Sequence, residues 1–199
     1  ILNEANRVLK PKIRREDIIG VYAGLRPLIS NNKNSATTKL SREHTVDRPA
    51  PGFLSVAGGK YTTYRIMGKD VIDLAVNELR RITLDSVTDK LPMVGADGYA
   101  ALVQQSAQIA ELYRVSEESV IHLLNRHGSL VSEVLEIITQ NPKMAERIDP
   151  ALPYLKAEIE YAASHEGARS VDDVISRRTR IAFESHDHGV GIATEVAVI

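Results

Sequence analysis

The chain has 199 residues, 43% hydrophobic and 26% charged, and its 25 Lys+Arg against 26 Asp+Glu leave a net charge of -1. That mix buries a core and excludes wholesale disorder, but it offers neither a basic field for nucleic acid nor an acidic tail. With no Cys and no Trp, disulfide scaffolds, thiol nucleophiles, thiolate zinc sites and base-stacking surfaces drop out. No apolar run approaches the roughly 20 residues a bilayer span needs and no signal peptide is visible, so a cytoplasmic setting is the expectation.

Leu2, Ala5, Val8 and Leu9 recur at helical spacing from the first residues, and Pro11 closes that helix. The start at Ile1 rather than Met, and an apolar-periodic end at Val190–Ile199 without a polar tail, read as the later part of a longer polypeptide. Ile18–Ile29 is almost continuously apolar and β-branched, which predicts a buried strand, and the polar Ser30–Leu40 predicts an exposed loop. Two extended pieces, His44–Arg48 and Phe53–Ala57, flank the turn signal Pro49-Ala-Pro-Gly52. After Gly58-Gly59 a long helix is predicted from about Thr62 to Arg81, with Tyr64, Met67, Val71, Leu74, Ala75 and Leu79 on one stripe.

Residues 84–98 lack periodicity and contain Pro92, Gly95 and Gly98, which marks a linker. Everything beyond reads as helix. Ser116 caps one, Glu117 and Glu118 suit its positive end, and Gly128 stops it. Val131, Val134, Leu135 and Ile138 form the stripe of the next. Pro153 opens another, which Gly167 ends, and Ser170-Val-Asp-Asp173 predicts a capping box with Asp for Glu. The expected fold is mainly α: a helical bundle over 99–199, preceded by an incomplete α/β segment over 1–83. The helical part, with its own caps and shared apolar face, should fold by itself, whereas 1–83 is expected to be partly disordered.

The most informative stretch is Gly58-Gly59-Lys60-Tyr61-Thr62-Thr63-Tyr64-Arg65, between a strand and a helix. Paired glycines allow close backbone approach, the helix start offers unpaired N–H groups, and Lys60 adds a full charge. Together they would cradle an anion, or a ring that becomes anionic on reduction. A tight turn capped by Thr is the equal alternative. Neither GxxxxGK[ST] nor GxGxxG occurs. Arg26, inside the apolar run Gly24-Leu-Arg-Pro-Leu28, is either paired with an acid or aimed at a phosphate or carboxylate. Arg42 is a third cation, or a solvated loop charge.

Metal sites are not expected. His122 and His127 stand five apart, a poor helical spacing for a shared ligand, and His186-Asp-His188 reads as two exposed histidines before it reads as a chelate. Glu158, Tyr161, His165 and Glu166 predict hydrogen-bonded packing. Asp172, Asp173, Arg177, Arg178 and Arg180 form a mixed-charge patch in which Arg178 is expected to make a salt bridge inside the bundle.

Taken together, several stretches resemble the C-terminal part of bacterial FAD-dependent, quinone-linked glycerol-3-phosphate dehydrogenases. They are Asn6-Arg-Val-Leu9, Glu16–Leu28, Ser41-Arg-Glu-His44, Leu54–Arg65, Leu152-Pro-Tyr-Leu-Lys-Ala-Glu158, Tyr161-Ala162, His165–Arg169 and Arg177-Arg-Thr-Arg180. The resemblance implies that 1–83 closes a Rossmann-type FAD-binding domain and that the helical domain caps the assembly and supports homo-oligomer contacts. It implies that Arg26 lies beside the glycerol moiety as a catalytic and substrate-binding residue. Arg42 and Lys60 would hold the phosphate of sn-glycerol 3-phosphate, and Gly59, Lys60, Tyr61 and Thr62 would meet the pyrimidine end of the flavin. The implied reaction is hydride transfer from C2 of sn-glycerol 3-phosphate to FAD, giving dihydroxyacetone phosphate, with electrons passed to quinone. The parent enzyme would sit peripherally on the inner face of the membrane, without nucleic-acid partners. Lacking GxGxxG, this stretch alone is expected neither to retain FAD nor to turn over. Two rivals stand beside this reading: a glycerol-3-phosphate oxidase with oxygen as acceptor, and a non-catalytic helical interaction or dimerisation module.

Overall fold

A computed structural model describes residues 1–25 and 43–199. Among the described residues the chain is mainly helical, with one small two-stranded sheet. It divides into two compact units, one made of Ala23–Leu91 and the other of Ile1–Tyr22 with Pro92–Ile199.

In the first unit β1 (His44–Ala50) and β2 (Phe53–Gly58) form an antiparallel hairpin. His44 pairs with Gly58 and Val46 with Val56; the register shifts between Asp47 and Ala50, where Pro49 has no N–H to give the ladder. A single 3-10 turn, Tyr61–Thr63, leads into α2 (Tyr64–Glu78). Two contacts tie the hairpin to α2, a hydrogen bond between His44 Nε2 and Asp70 Oδ2 at 2.8 Å and an ion pair between Arg48 and Glu78 at 3.0 Å. No residue of α2 is fully buried.

The predicted strand over Ile18–Ile29 is corrected for its described part. Residues 18–25 form no regular element, and Val21, Tyr22 and Leu25 are at least 85% exposed. An apolar run becomes a strand only where a neighbour takes its backbone hydrogen bonds, and no described segment pairs with it. Residues 26–42, including the expected loop Ser30–Leu40, lie outside the described residues.

The second unit begins with α1 (Leu2–Val8), after which the Asn6 side chain brackets Ile13, accepting from its N–H at 2.8 Å and donating to its carbonyl at 2.7 Å. Gly20 and Tyr22 pack against Phe183, the two rings meeting edge to face. Residues 1–22 therefore group with the helical unit. Its helices are α3 (Tyr99–Gln104), α4 (Ser106–Tyr113), α5 (Glu117–His127), α6 (Val131–Gln140) and α7 (Lys156–Ser164), followed by α8 (Ile181–Glu184) and α9 (Ala193–Val198). Ser116 accepts from Ser119 N at 3.1 Å as the cap of α5. Gly128 ends that helix at φ +59°, where an added Cβ would lie 2.0 Å from the Gly95 carbonyl oxygen. Only glycine satisfies both demands.

The helix expected from Pro153 starts at Lys156 instead: Arg147 and Leu155 first form a β-bridge, which holds the chain extended up to the cap. Of the expected Ser170–Asp173 capping box the serine half forms, and the aspartate reaches one residue further back. Ser170 Oγ accepts from Asp173 N at 3.1 Å, while the Asp173 carboxylate accepts from Arg169 N at 3.0 Å. The helix behind it widens into a π-helical turn, Asp173–Arg178.

Two apolar clusters make the core, and both belong to this unit. Val120, Leu123, Leu124, Val134, Leu135 and Leu155 centre one; Ile148, Tyr154, Ile159, Ala162, Ile181 and Val196 centre the other. Helix α7 serves both, giving Ala157 and Tyr161 to the first and Ile159 and Ala162 to the second. Two opposite stripes on one helix require residues buried all round, and Ala157, Ile159 and Ala162 are at most 2% exposed.

Candidate active-site turn and a buried charge cluster

Gly58 and Gly59 leave β2 with φ of +76° and +77°, and Lys60 returns to extended backbone before the helical turn begins. Gly59 is held closely: an added Cβ would lie 2.6 Å from Met67 Sδ and 3.2 Å from His44 Cβ. The Thr63 hydroxyl fixes the next corner, accepting from Lys60 N at 3.3 Å and donating to Lys60 O at 2.9 Å. It thus braces the turn instead of capping α2, whose N-cap position it occupies without a side-chain bond. The first N–H groups of the 3-10 turn have no intrahelical acceptor, and the helix behind them places partial positive charge there.

Beside this turn lies a cleft of about 520 Å³, floored by Val56, Met67 and Val71 and rimmed by Lys60, Tyr61 and Tyr64. Tyr61 and Tyr64 stack at 5.9 Å, and Tyr61 is 90% exposed. Lys60 is exposed and makes no ion pair among the described residues. Gly59, Lys60, Tyr61 and Thr62 thus share one turn, a cation and free N–H groups beside an apolar wall. Such an arrangement suits a planar apolar group with an anionic edge, or a phosphate. Arg26 and Arg42 lie outside the described residues. The stacked tyrosines and the Met67 contact were not anticipated; the i,i+3 spacing of Tyr61 and Tyr64 was the signal that could have found the pair.

The second concentration of charge is in the helical unit. Glu158 has no exposed side-chain surface, and its carboxylate meets His122 Nε2 at 3.0 Å, Arg126 Nε at 2.6 Å and Leu155 N at 2.8 Å. His127 Nε2 stands off at 3.7 Å. The Arg126 N–H is turned away from the line of contact, so that approach is Coulombic and not a hydrogen bond. Burial pushes the Glu158 carboxyl up, but the hydrogen bond with His122, the nearby His127 ring and the Arg126 charge outweigh it and hold it at about 2. The five-residue spacing that suits no shared metal thus suits a shared carboxylate 36 positions from His122. The hydrogen-bonded packing expected around Tyr161 is present: its hydroxyl donates to Glu133 at 2.7 Å and its ring stacks on His165.

Arg178 departs from expectation. Among the described residues it makes no salt bridge, and its Nε donates to the Glu166 backbone carbonyl at 2.8 Å. That carbonyl lies within hydrogen-bond reach, whereas no described carboxylate comes within ion-pair distance. In the His186-Asp-His188 stretch, Asp187 accepts from Ser185, Gly189 and Gly191, which holds its carboxyl down at about 2, and His188 Nδ1 lies 2.8 Å from the Ala182 carbonyl. This is a turn, and among the described residues no three His, Asp or Glu side chains are grouped to hold a metal ion. No described helix is long and apolar enough to cross a membrane.

Known proteins place the chain. It is 46% identical over all 199 residues to Glycerol-3-phosphate dehydrogenase 2 of Mycobacterium tuberculosis, covering 34% of that protein. It is 43% identical to Glycerol-3-phosphate dehydrogenase of Mycobacterium leprae over 99% of this chain and 34% of that one. Against the human mitochondrial Glycerol-3-phosphate dehydrogenase identity is 32%, over 92% of this chain and 26% of that protein. The chain spans about a third of the length of the mycobacterial relatives. Residues 86–199 match the family described as the C-terminal domain of alpha-glycerophosphate oxidase, and the chain belongs to that family.

Proposed function

We propose that this chain is the terminal segment of an FAD-dependent glycerol-3-phosphate dehydrogenase, with the Gly58–Thr63 turn at its active site. The observation that carries the reading is the turn itself: two left-handed glycines, an unpaired lysine and a helix start beside an apolar cleft, in a chain aligned end to end with dehydrogenases of that name. The turn fits a flavin, because the Val56–Met67 wall supports a ring face and the Tyr61 and Thr62 N–H groups meet an anionic edge. When bound, FAD supplies the hydride acceptor. The chain's own residues would bind and orient: Lys60, with Arg26 and Arg42, would neutralise substrate phosphate, Arg26 would serve the glycerol moiety, and Gly59–Thr62 would hold the flavin's pyrimidine edge. The helix start there would favour negative charge. The acceptor beyond the flavin is quinone, and the enzyme works at the membrane surface as a homo-oligomer.

The test is a chimera in which this chain replaces the matching third of the M. tuberculosis relative. Lys60→Met should raise KM for sn-glycerol 3-phosphate by about tenfold to a hundredfold, the loss of one charge-assisted hydrogen bond, and Lys60→Arg should restore part of it. An unchanged KM in Lys60→Met would remove the turn from the site. The family description names an oxidase, and the same chimera separates the acceptors: peroxide accumulating in step with substrate would replace quinone by oxygen.

A further inference from the structure

A cleft of about 530 Å³ in the helical unit is lined by Arg126, Arg177, Arg178 and Arg180 together with Glu166 and Glu184. Two of the four cations are matched. Arg126 faces Glu158, and Arg177 pairs with Asp172 and Asp173. Arg178 and Arg180 have no carboxylate within ion-pair distance among the described residues. Nor do the two acids answer them: Glu184 accepts the Tyr154 hydroxyl at 3.0 Å, and Glu166 stands 3.8 Å from His127 Nδ1.

The backbone presenting the two free arginines is fixed. Thr179 between them is 3% exposed, and both its hydroxyl and its N–H donate to the Val174 carbonyl at 2.8 Å. Arg180 N donates to the Tyr154 hydroxyl at 3.2 Å, and Arg178 Nε to Glu166 O at 2.8 Å. That last bond orients the Arg178 fork, and its two terminal nitrogens have no acceptor among the described residues. Arg178 closes the π-helical turn Asp173–Arg178 and Arg180 lies just beyond it, and such turns recur at functional sites. Two like charges two positions apart, set in one partly enclosed cleft, repel each other unless an anion lies between them.

We propose that this cleft binds a small hydroxylated oxyanion, with Arg178 and Arg180 holding the charged group. Arg126 lies behind them, its guanidinium 5.1 Å from the Tyr154 ring centroid. The Glu166 and Glu184 carboxylates accept the ligand's hydroxyls. The volume is of the size that takes a metabolite, larger than an inorganic ion needs. Phosphate and carboxylate share the chemistry a guanidinium fork recognises.

The arginine Nε–H NMR signals of the 199-residue chain, titrated separately with inorganic phosphate and with citrate, test this. Saturable shifts at Arg178 and Arg180 are expected, and the tighter probe assigns the oxyanion. Arg180→Gln, an exposed change, should weaken binding about tenfold with an unchanged melting curve. Arg178→Lys, which keeps the charge and loses the fork, should weaken it less. Shifts that sodium chloride reproduces at equal ionic strength, or Arg180→Gln binding like the parent chain, would overturn the assignment.

Discussion

The hairpin–helix unit and the helical unit spend their apolar residues in opposite ways. In the helical unit Val120, Leu123, Val134, Ala157, Ala162 and Ile181 have no exposed surface. In the other unit α2 buries nothing completely, and Ile72, Leu79 and Ile82 are more than half exposed. The Gly58–Thr63 turn proposed for the active site stands on the second kind of support, a hairpin held to its helix by a His44–Asp70 hydrogen bond and one ion pair and braced by one threonine hydroxyl. A turn that must let a ligand approach its backbone keeps glycines and exposed N–H groups, which are the features a packed core excludes. On the function proposed above, stability and chemistry divide between the units.

The largest expected effect that would sharpen this division is at Glu158. Glu158→Gln leaves Arg126 and two histidines around a neutral group and should cost about 3–5 kcal/mol, the range for breaking a buried pair, all of it in the helical unit. The pH dependence has a definite sign. In the fold the carboxylate stays ionised down to about pH 2, whereas in the unfolded chain it takes up its proton near 4.5. The interaction is worth about 3 kcal/mol, is fully present above pH 4.5, and fades as pH falls toward 2. Acid titration of the melting temperature should show that loss in the parent chain and a flatter slope in Glu158→Gln.

A smaller effect is expected on the other side. Gly59→Ala sets a Cβ against Met67 at a left-handed φ and should cost about 1–3 kcal/mol. Hydrogen exchange should then quicken in β2 and α2 while α5–α7 keep their protection; loosening of both units together would break the comparison. Smallest is Ser116→Ala, about 1 kcal/mol for a lost cap, read as faster exchange confined to the first turn of α5.

What was legible in the sequence follows from range. Caps, turns and hairpins are decided by a few neighbouring residues, so Ser116, Gly128, the Ser170 cap and the hairpin around Pro49–Gly52 were readable in advance, although β1 runs on through Ala50 and leaves only Pro51-Gly52 to turn. The Glu158 cluster was not, because no periodicity ties His122 to a carboxylate 36 positions on; the same blindness hid the Glu166 carbonyl as the partner of Arg178. Ile18–Leu25 misled for the opposite reason: apolar composition states what a segment would bury, not whether a neighbour pairs with it. The Gly58–Thr63 turn was visible as chemistry from its residue types, while its stacked tyrosines and the Met67 wall needed coordinates.

The division of labour is tested most directly by KM for sn-glycerol 3-phosphate in the chimera, with Lys60→Met and Glu158→Gln measured side by side. The account predicts a rise of about tenfold or more for Lys60→Met with an unchanged melting temperature, and an unchanged KM for Glu158→Gln with a lowered one. Equal effects of the two substitutions on KM, or none from Lys60→Met, would contradict it.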